Sequence, residues 1–552
     1  PNCQMMPRFL SPFHIHSLTG GRRSGRRCLL RALGMAPRTP PGGGKWVVLG
    51  VLTLVYTQQQ WSRYSLNYLA AVDPSKGAKR SIRSATGLTF AQYGVLTGYG
   101  FSATFCVAGL FAGRAADVAS RTLIIFAGAL IWNGALAMIG SSTNFVELLL
   151  WRLALGFGQA LSNPASYSLL ADVFPEEQRA QANGLFACGV YLGGGLASLC
   201  LNMATALGWR TACFVVAALG LLLAFLQALL IAEPSRATTT KAAAGAAAAA
   251  QEKQEKKQKK NQGPQLLQGR RDGRRDGRDA SQDASQDSSS KAGGGGRTLS
   301  MALKTIFSSD VVVTLFLAAA FRFCGGFAIG GYMPTTYDAV FPGYATQYSY
   351  VNAYVVAFGG FLSSWLGGLV ADEWKKTEPR ARLYVPALGC VAAIPFLAVC
   401  CLASNFYVSI LLGLFLEYLV AECWFGPVVA AVQSALPPDC RALAIACFTL
   451  IATFFGSLAS YLIGLVYDKA LRAGQPPDVI RWILLWSVTV SYLAAAALFL
   501  LASRFVRNDS SSSSLQGEKK PLLTDDDIDT TTCMKKKKKK KKNSSDDVEE
   551  TY

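Results

Sequence analysis

The chain has 552 residues, 51% of them hydrophobic, with a mean hydropathy of +0.27 and a formal net charge of +20. Its apolar residues gather in about twelve blocks of roughly 20 residues or more, the length that crosses a hydrocarbon core about 30 Å thick. This pattern excludes a soluble enzyme, a disulfide-built secreted domain and a DNA-binding domain. The charge does not indicate nucleic acid either. Residues 1–45, 233–308 and 504–552 hold 35 of the 54 basic residues and 18 of the 34 acids, so the excess sits in two tails and one loop, where an anionic membrane surface is the natural partner.

In chain order, residues 1–45 form a basic tail, with Met35 an alternative start. No acid occurs before Asp73, a composition shared with transit peptides, but the tail is read as cytosolic. The apolar blocks predict helices over 46–71, 89–113, 122–140, 144–172, 180–204 and 210–232, and over 309–338, 347–370, 382–403, 405–435, 441–467 and 478–503. The two groups of six form the domains 46–232 and 309–503. Between them, 233–308 runs through an alanine tract, QEKQEKKQKK, RRDGRRDGRD and SQDASQD. That composition buries too little apolar area to fold and is expected to be disordered, spanning about 50 Å as a coil. The tail 504–552 is expected to be disordered as well. An even number of helices puts both tails and this loop on one side. Short-loop Lys and Arg counts tie between the two sides, and the flanking Lys45, Lys304, Arg504 and Arg507 place the tails in the cytosol.

Chemistry in the body of the chain is restricted from the outset. The only histidines are His14 and His16, in the tail, and most of the cysteines lie inside apolar blocks with no CxxC pair. No metal site, cofactor or catalytic constellation is expected, so the chain is not read as an enzyme.

A weak repeat relates the halves. Gly113-Arg-Ala-Ala-Asp117, followed by Arg121, ends the second predicted helix, and Gly368-Leu-Val-Ala-Asp372, followed by Lys375 and Lys376, ends the eighth. Gly permits close helix approach, and an Asp at a helix end can pair with a loop Arg or with a neighbouring helix N-terminus. These residues are therefore expected to form a conformational latch. This repeat resembles the major facilitator superfamily, as does Arg152-Leu-Ala-Leu-Gly156-Phe-Gly158 in the fourth helix. The fifth helix carries Gly189 to Ser198 (GVYLGGGLAS), a close-packing surface without the proline of that superfamily's antiporter motif. The resemblance implies an all-α membrane protein of twelve transmembrane helices in two six-helix bundles, alternating access, and a site near the midplane.

Within that superfamily the chain resembles the Spinster-like transporters. The resemblance rests on QQQWSRYSLNYL in the first helix and WRLALGFGQALSNPASYSLLADVFPEEQRA in the fourth. It continues with Pro379-Arg380-Ala381 after the eighth, LEYLVAECWFGPVV in the tenth and SYLIGLVYD in the eleventh. It implies transport of lysophospholipid or sphingoid-type lipids, often coupled to protons. The family's candidate proton carriers are replaced here: Ser62 stands for the acid of the first helix and Gln159 for that of the fourth. Neither titrates, which argues for a uniporter, and Glu417, with Glu422 nearby, is the remaining candidate proton carrier.

Charges inside a bilayer cost roughly 2.5–3.5 kcal/mol or more and call for a reason. Arg63 and Arg152 are candidates to attract an anionic headgroup, because the planar guanidinium suits phosphate; the alternative is structural, by snorkelling outward or by pairing with Glu147 or Glu417. Arg322, without a family match, is read as structural. Gln59, Gln159, Glu417 and Trp424 complete the substrate-binding set. Gln58, Gln59 and Gln60 cannot all face one way, and packing is the first reading for Tyr64, Trp424 and Phe425. The expected substrate is an amphipathic anionic lipid; the alternatives are a small polar organic anion or, in another class, a transport-dead scaffold or receptor. Glu518, Leu522 and Leu523 resemble an acidic dileucine signal for sorting adaptors, which would direct the protein to a lysosome-like or vacuolar membrane. The plasma membrane is the other reading, and a plastid is less favoured. The lysine run 535–542 is read as keeping the tail soluble.

Overall fold

The computed structural model describes residues 44–231, 233 and 299–517. The tail before Gly44, with Met35, most of the central loop, the dileucine residues Glu518, Leu522 and Leu523, and the lysine run lie outside the described residues.

Helices dominate, as the apolar blocks require. In the first half they are α1 (Gly44–Leu69), α2 (Phe90–Thr97 continued by Tyr99–Val118), α3 (Arg121–Ser141), α4 (Phe145–Val173), α5 (Glu176–Ala187, Gly189–Ser198 and Cys200–Leu207) and α6 (Trp209–Leu230). In the second they are α7 (Asp310–Val340), α8 (Ala345–Tyr354, a π segment Val355–Gly360, then Phe361–Trp374), α9 (Ala381–Leu402), α10 (Val408–Leu414 to Phe425–Ser434), α11 (Pro438–Arg472) and α12 (Ile480–Gly517). Ten of these stretches are long and apolar enough to cross a membrane by themselves. The other two, α1 and α2, occupy the remaining places in the six-plus-six order, and α1 is the more polar because it carries three glutamines and Arg63.

Two departures from the expected boundaries have physical causes. Leu299–Phe307 is helical ahead of α7, because LSMALKTIF is amphipathic and buries Ala302 and Ile306. α12 runs on to Gly517, past residue 503, since no Pro or Gly interrupts it.

Glycines set the spacing of the bundles. A Cβ on Gly158 would stand 2.8 Å from the Trp132 nitrogen, and one on Gly128 2.7 Å from the Gly158 oxygen, so α3 and α4 touch backbone to backbone. Gly156 does the same between α4 and the Phe101 carbonyl of α2. The Arg-x-x-x-Gly-x-Gly pattern is thereby explained as a three-helix contact. In α5, Gly193 faces Gln60 of α1, and Gly195 lies against Ala353 of α8 in the other bundle, 2.5 Å from that carbonyl if it bore a Cβ.

The bundles meet at the end that carries loop 70–89. Tyr93 donates to the Gly331 carbonyl (2.5 Å), Asn67 to the Gly330 carbonyl (2.8 Å), Asn352 to the Tyr68 hydroxyl (2.9 Å), and Ser102 pairs with Ser457 (2.8 Å). Lys76 faces Asp338 at 3.7 Å. All of these contacts lie between the helix middles and that closed end.

Candidate functional site

In the first bundle the α1–α4 contact is a ladder of hydrogen bonds. The Gln59 amide donates to the Gln159 carbonyl (3.1 Å), and the Gln159 amide donates to the Gln59 carbonyl (2.9 Å) and to the Ser62 hydroxyl (3.1 Å). Ser62 also donates to the Gln59 carbonyl at 2.8 Å. Ser62 and Gln159, the two positions read from the sequence as replacing acids, are thus bonded directly to each other, both fully buried and both neutral. The three glutamines of α1 point three ways: Gln58 bonds Asn133 of α3 (2.7 Å) and accepts from Trp132, Gln59 meets α4, and Gln60 packs on Gly193 of α5.

Further along the same two helices lie the arginines, Arg63 one turn from Gln59 and Arg152 about two turns from Gln159. Arg152, 1% exposed, does not pair with Glu147 or Glu417; it donates to the Leu96 carbonyl (3.1 Å) and to the Arg63 carbonyl (3.1 Å). Glu147 is occupied by Thr143 and Asn144 at its own helix start. Arg63 is different. Its guanidinium lies 4.2 Å from the Phe101 ring centroid, with Tyr64 at 5.3 Å and Phe105 at 5.7 Å. Among the described residues none accepts a hydrogen bond from it. It is half-buried, held by aromatic faces, and its donor fork is uncommitted.

The second bundle holds a separate cluster. Glu417, 2% exposed, accepts from the Tyr492 hydroxyl at 2.6 Å. Arg322, 1% exposed, donates to the Ala421 carbonyl (2.9 Å) and to Glu422 (3.0 Å), and its guanidinium lies 4.7 Å from the Tyr492 ring and 5.5 Å from Trp424. Trp424 packs edge-on against Phe323. A short 3₁₀ turn over Glu422–Trp424 interrupts α10, and Arg322 satisfies the carbonyl that the interruption releases. The structure therefore brings Arg63, Arg152, Gln59 and Gln159 together and places Glu417 and Trp424 with Arg322. Tyr492 and Phe101 were not singled out from the sequence; aromatic residues in apolar helices give no signal until the facing helix is known. A charge in a span with no family match, as at Arg322, was the one available hint.

The expected latch residues lie at the end opposite the contact between bundles. Arg121, 3% exposed, pairs with Asp172 and with Glu233 (3.1 Å), which also accepts from the Thr122 N–H at 3.0 Å. Burial works against the Glu233 charge, but the Thr122 N–H, the Arg121 guanidinium and the Ser120 and Thr122 hydroxyls outweigh it and hold its carboxyl below the usual range. Asp372 pairs with Arg382 at 2.6 Å. Gly113 and Asp117 fall within α2, and Gly368 lies in open space on α8.

An apolar groove of about 1000 Å³ opens between α1, α5 and α8, lined by Trp46, Thr57, Leu192, Gly195, Ala357 and Phe358 among others. Thr57 is six residues from Arg63 on α1, about 9 Å along the axis.

Two six-helix bundles with a seam of polar contacts, buried charges and a groove between them define a membrane transporter. The sequence profile of the Major Facilitator Superfamily matches residues 77–461, and the chain belongs to that family. It is an integral, multi-pass membrane protein. It is 26% identical to an MFS-type efflux pump of Mycolicibacterium smegmatis over 84% of this chain and 94% of that one. It is 24% identical to mouse Protein spinster homolog 3 over 71% of this chain and 70% of that one. Among solved structures it is similar to a bacterial homologue of the human lysosomal transporter Spinster, described as inward-facing and unoccupied. That match has a TM-score of 0.61 and 19% identity, and covers 87% of this chain and 100% of that one. The chain is Spinster-like in sequence, as its motifs indicated.

Proposed function

We propose that the protein carries an amphipathic anionic lipid, such as a lysophospholipid or a sphingoid phosphate, by alternating access, and that it does so as a uniporter. The observation that carries this reading is Arg63: a half-buried guanidinium, stacked on Phe101, with no acceptor among the described residues. A charge kept in a span without a protein partner calls for a ligand partner, and a phosphate accepts its paired donors. Arg152 supports the site by fixing the α1 backbone at Arg63. The α1–α5–α8 groove supplies what a polar solute does not need, an apolar channel for an acyl chain beside the headgroup site. With the tails in the cytosol, the closed end is the outer one and this conformation faces inward. The Ser62–Gln159 pair cannot exchange a proton, so the inward-facing state forms without one at that position. An endomembrane of lysosome-like or vacuolar type is the proposed location, with sorting adaptors reading Glu518, Leu522 and Leu523.

Purified protein in proteoliposomes, given in separate runs a labelled lysophospholipid and a labelled hexuronate, with the lipid run repeated in excess unlabelled hexuronate or excess unlabelled lysophospholipid, separates the readings. Only the lipid should compete. Uptake of the hexuronate with none of the lipid would replace this assignment with a carrier of small organic anions, and flux of neither would favour the scaffold reading.

The groove carries its own expectation. Ala357→Trp fills it from the α8 side without touching the arginines. Uptake of long-chain lysophospholipid should fall several-fold, while that of a very short-chain analogue stays within about twofold. An equal loss for both chain lengths would remove the groove from the transport path.

A further inference from the structure

The stretch SYLIGLVYD ends on Asp468, four residues before the end of α11, and the functional reading above gives that acid no role. In the structure its two carboxylate oxygens reach across to the other bundle, accepting from the Phe90 N–H at 3.0 Å and from the Ala91 N–H at 2.8 Å. These are the first two residues of α2. A helix start leaves four N–H groups without intrahelical partners and carries positive potential. Here Thr89 and Gln92 form a reciprocal cap that satisfies the Gln92 N–H. The two donors left between them are the ones that Asp468 takes. The first turn of α2 is therefore completed by a residue of the opposite bundle.

The surroundings hold this pairing in place. Gly464, one turn before Asp468, lies against the Phe90 carbonyl closely enough that no side chain fits. Tyr332 of α7 donates to the Ser460 carbonyl at 2.7 Å and to the Phe90 carbonyl at 3.3 Å, and Arg83 stacks 3.6 Å from the Phe90 ring centroid. Further along the same helix pair the contacts are uncharged: Thr97 with Ser460, and Ser102 with Ser457.

We infer that Asp468 on the N-terminus of α2 is the clasp that holds this end of the transporter shut, and that opening at this end requires the carboxylate to leave. Because Asp468 belongs to α11 and the N–H groups to α2, the bond cannot survive separation of the bundles. The inference rests on the alternating-access reading but not on the lipid, and its test uses no substrate.

Spin labels on unnatural amino acids at Lys79 and Lys469, both exposed at the closed end and one in each bundle, report the gap in the full-length protein in nanodiscs. Asp468→Ala should raise the open-to-closed ratio about tenfold, the scale of one charge-assisted hydrogen bond. Asp468→Asn, which keeps a single acceptor, should give a smaller shift and stands in if the alanine variant does not purify. Thr89→Ala removes the local cap and keeps the clasp, so its distances should match the wild type. Unchanged distances in the Asp468 variants, or an equal shift in Thr89→Ala, would overturn the inference.

Discussion

Arg63→Ala should reduce lipid uptake by one to two orders of magnitude while leaving the protein folded. Arg63 makes no hydrogen bond to a described residue, and its side chain rests on Phe101, Tyr64 and Phe105. Truncation therefore removes packing and a donor fork but leaves no buried partner stranded. A net 1.5–3 kcal/mol is typical of a hydrogen bond to a charged group, which sets the expected loss at about 10- to 100-fold. Arg63→Lys keeps the charge and loses the paired donors, so it should fall between the two. The contrast is Arg152→Ala, which strands the Leu96 and Arg63 carbonyls inside the bundle and should lower thermal stability as well as flux. Uptake in Arg63→Ala equal to the wild type would show that the headgroup site lies elsewhere.

Gly158→Leu is expected to prevent the first bundle from assembling. Its Cβ would stand 2.8 Å from the Trp132 nitrogen and 2.9 Å from the Gly128 oxygen, and neither is the end of a flexible side chain. Relief requires α3 and α4 to move apart, which also breaks the fit of fully buried Trp132 against Gln58. Overpacking a tight core costs about 1–3 kcal/mol, and more when backbone must shift. The expected result is loss of the monodisperse peak in detergent chromatography. Gly134→Leu on α3, where a Cβ meets nothing, should behave as wild type. A Gly158→Leu variant that purified with unchanged melting would contradict the three-helix contact.

Much of this architecture could be read from the residues, for identifiable reasons. Span length is a one-dimensional property, so the helices were found within a few residues at most ends. Glycine spacing is local as well, and the Arg-x-x-x-Gly-x-Gly pattern marked a real contact. Ser62 and Gln159 were singled out one at a time, and the structure adds that they bond each other, a fact about two helices rather than one. What the sequence could not supply was partnership. Arg152 had two acids proposed for it and took two backbone carbonyls instead, because a carbonyl is present at every residue and leaves no trace in composition. Asp468 sat in a recognised stretch, but its partners are the N–H groups of Phe90 and Ala91, which are equally silent. Arg121 offered a related lesson: it pairs with Asp172 of α4 and with Glu233 beyond the end of α6, two acids that lie outside the repeat.

The most direct test of a lipid uniporter without a titratable pair in its first bundle is uptake of labelled lysophospholipid into proteoliposomes, measured with and without an imposed pH gradient. The neutral Ser62–Gln159 contact leads to uptake that is present in both conditions and equal within error. Uptake that appears only with the gradient would contradict the uniporter and direct attention to Glu417 and Tyr492, and no uptake in either condition would contradict the lipid assignment itself.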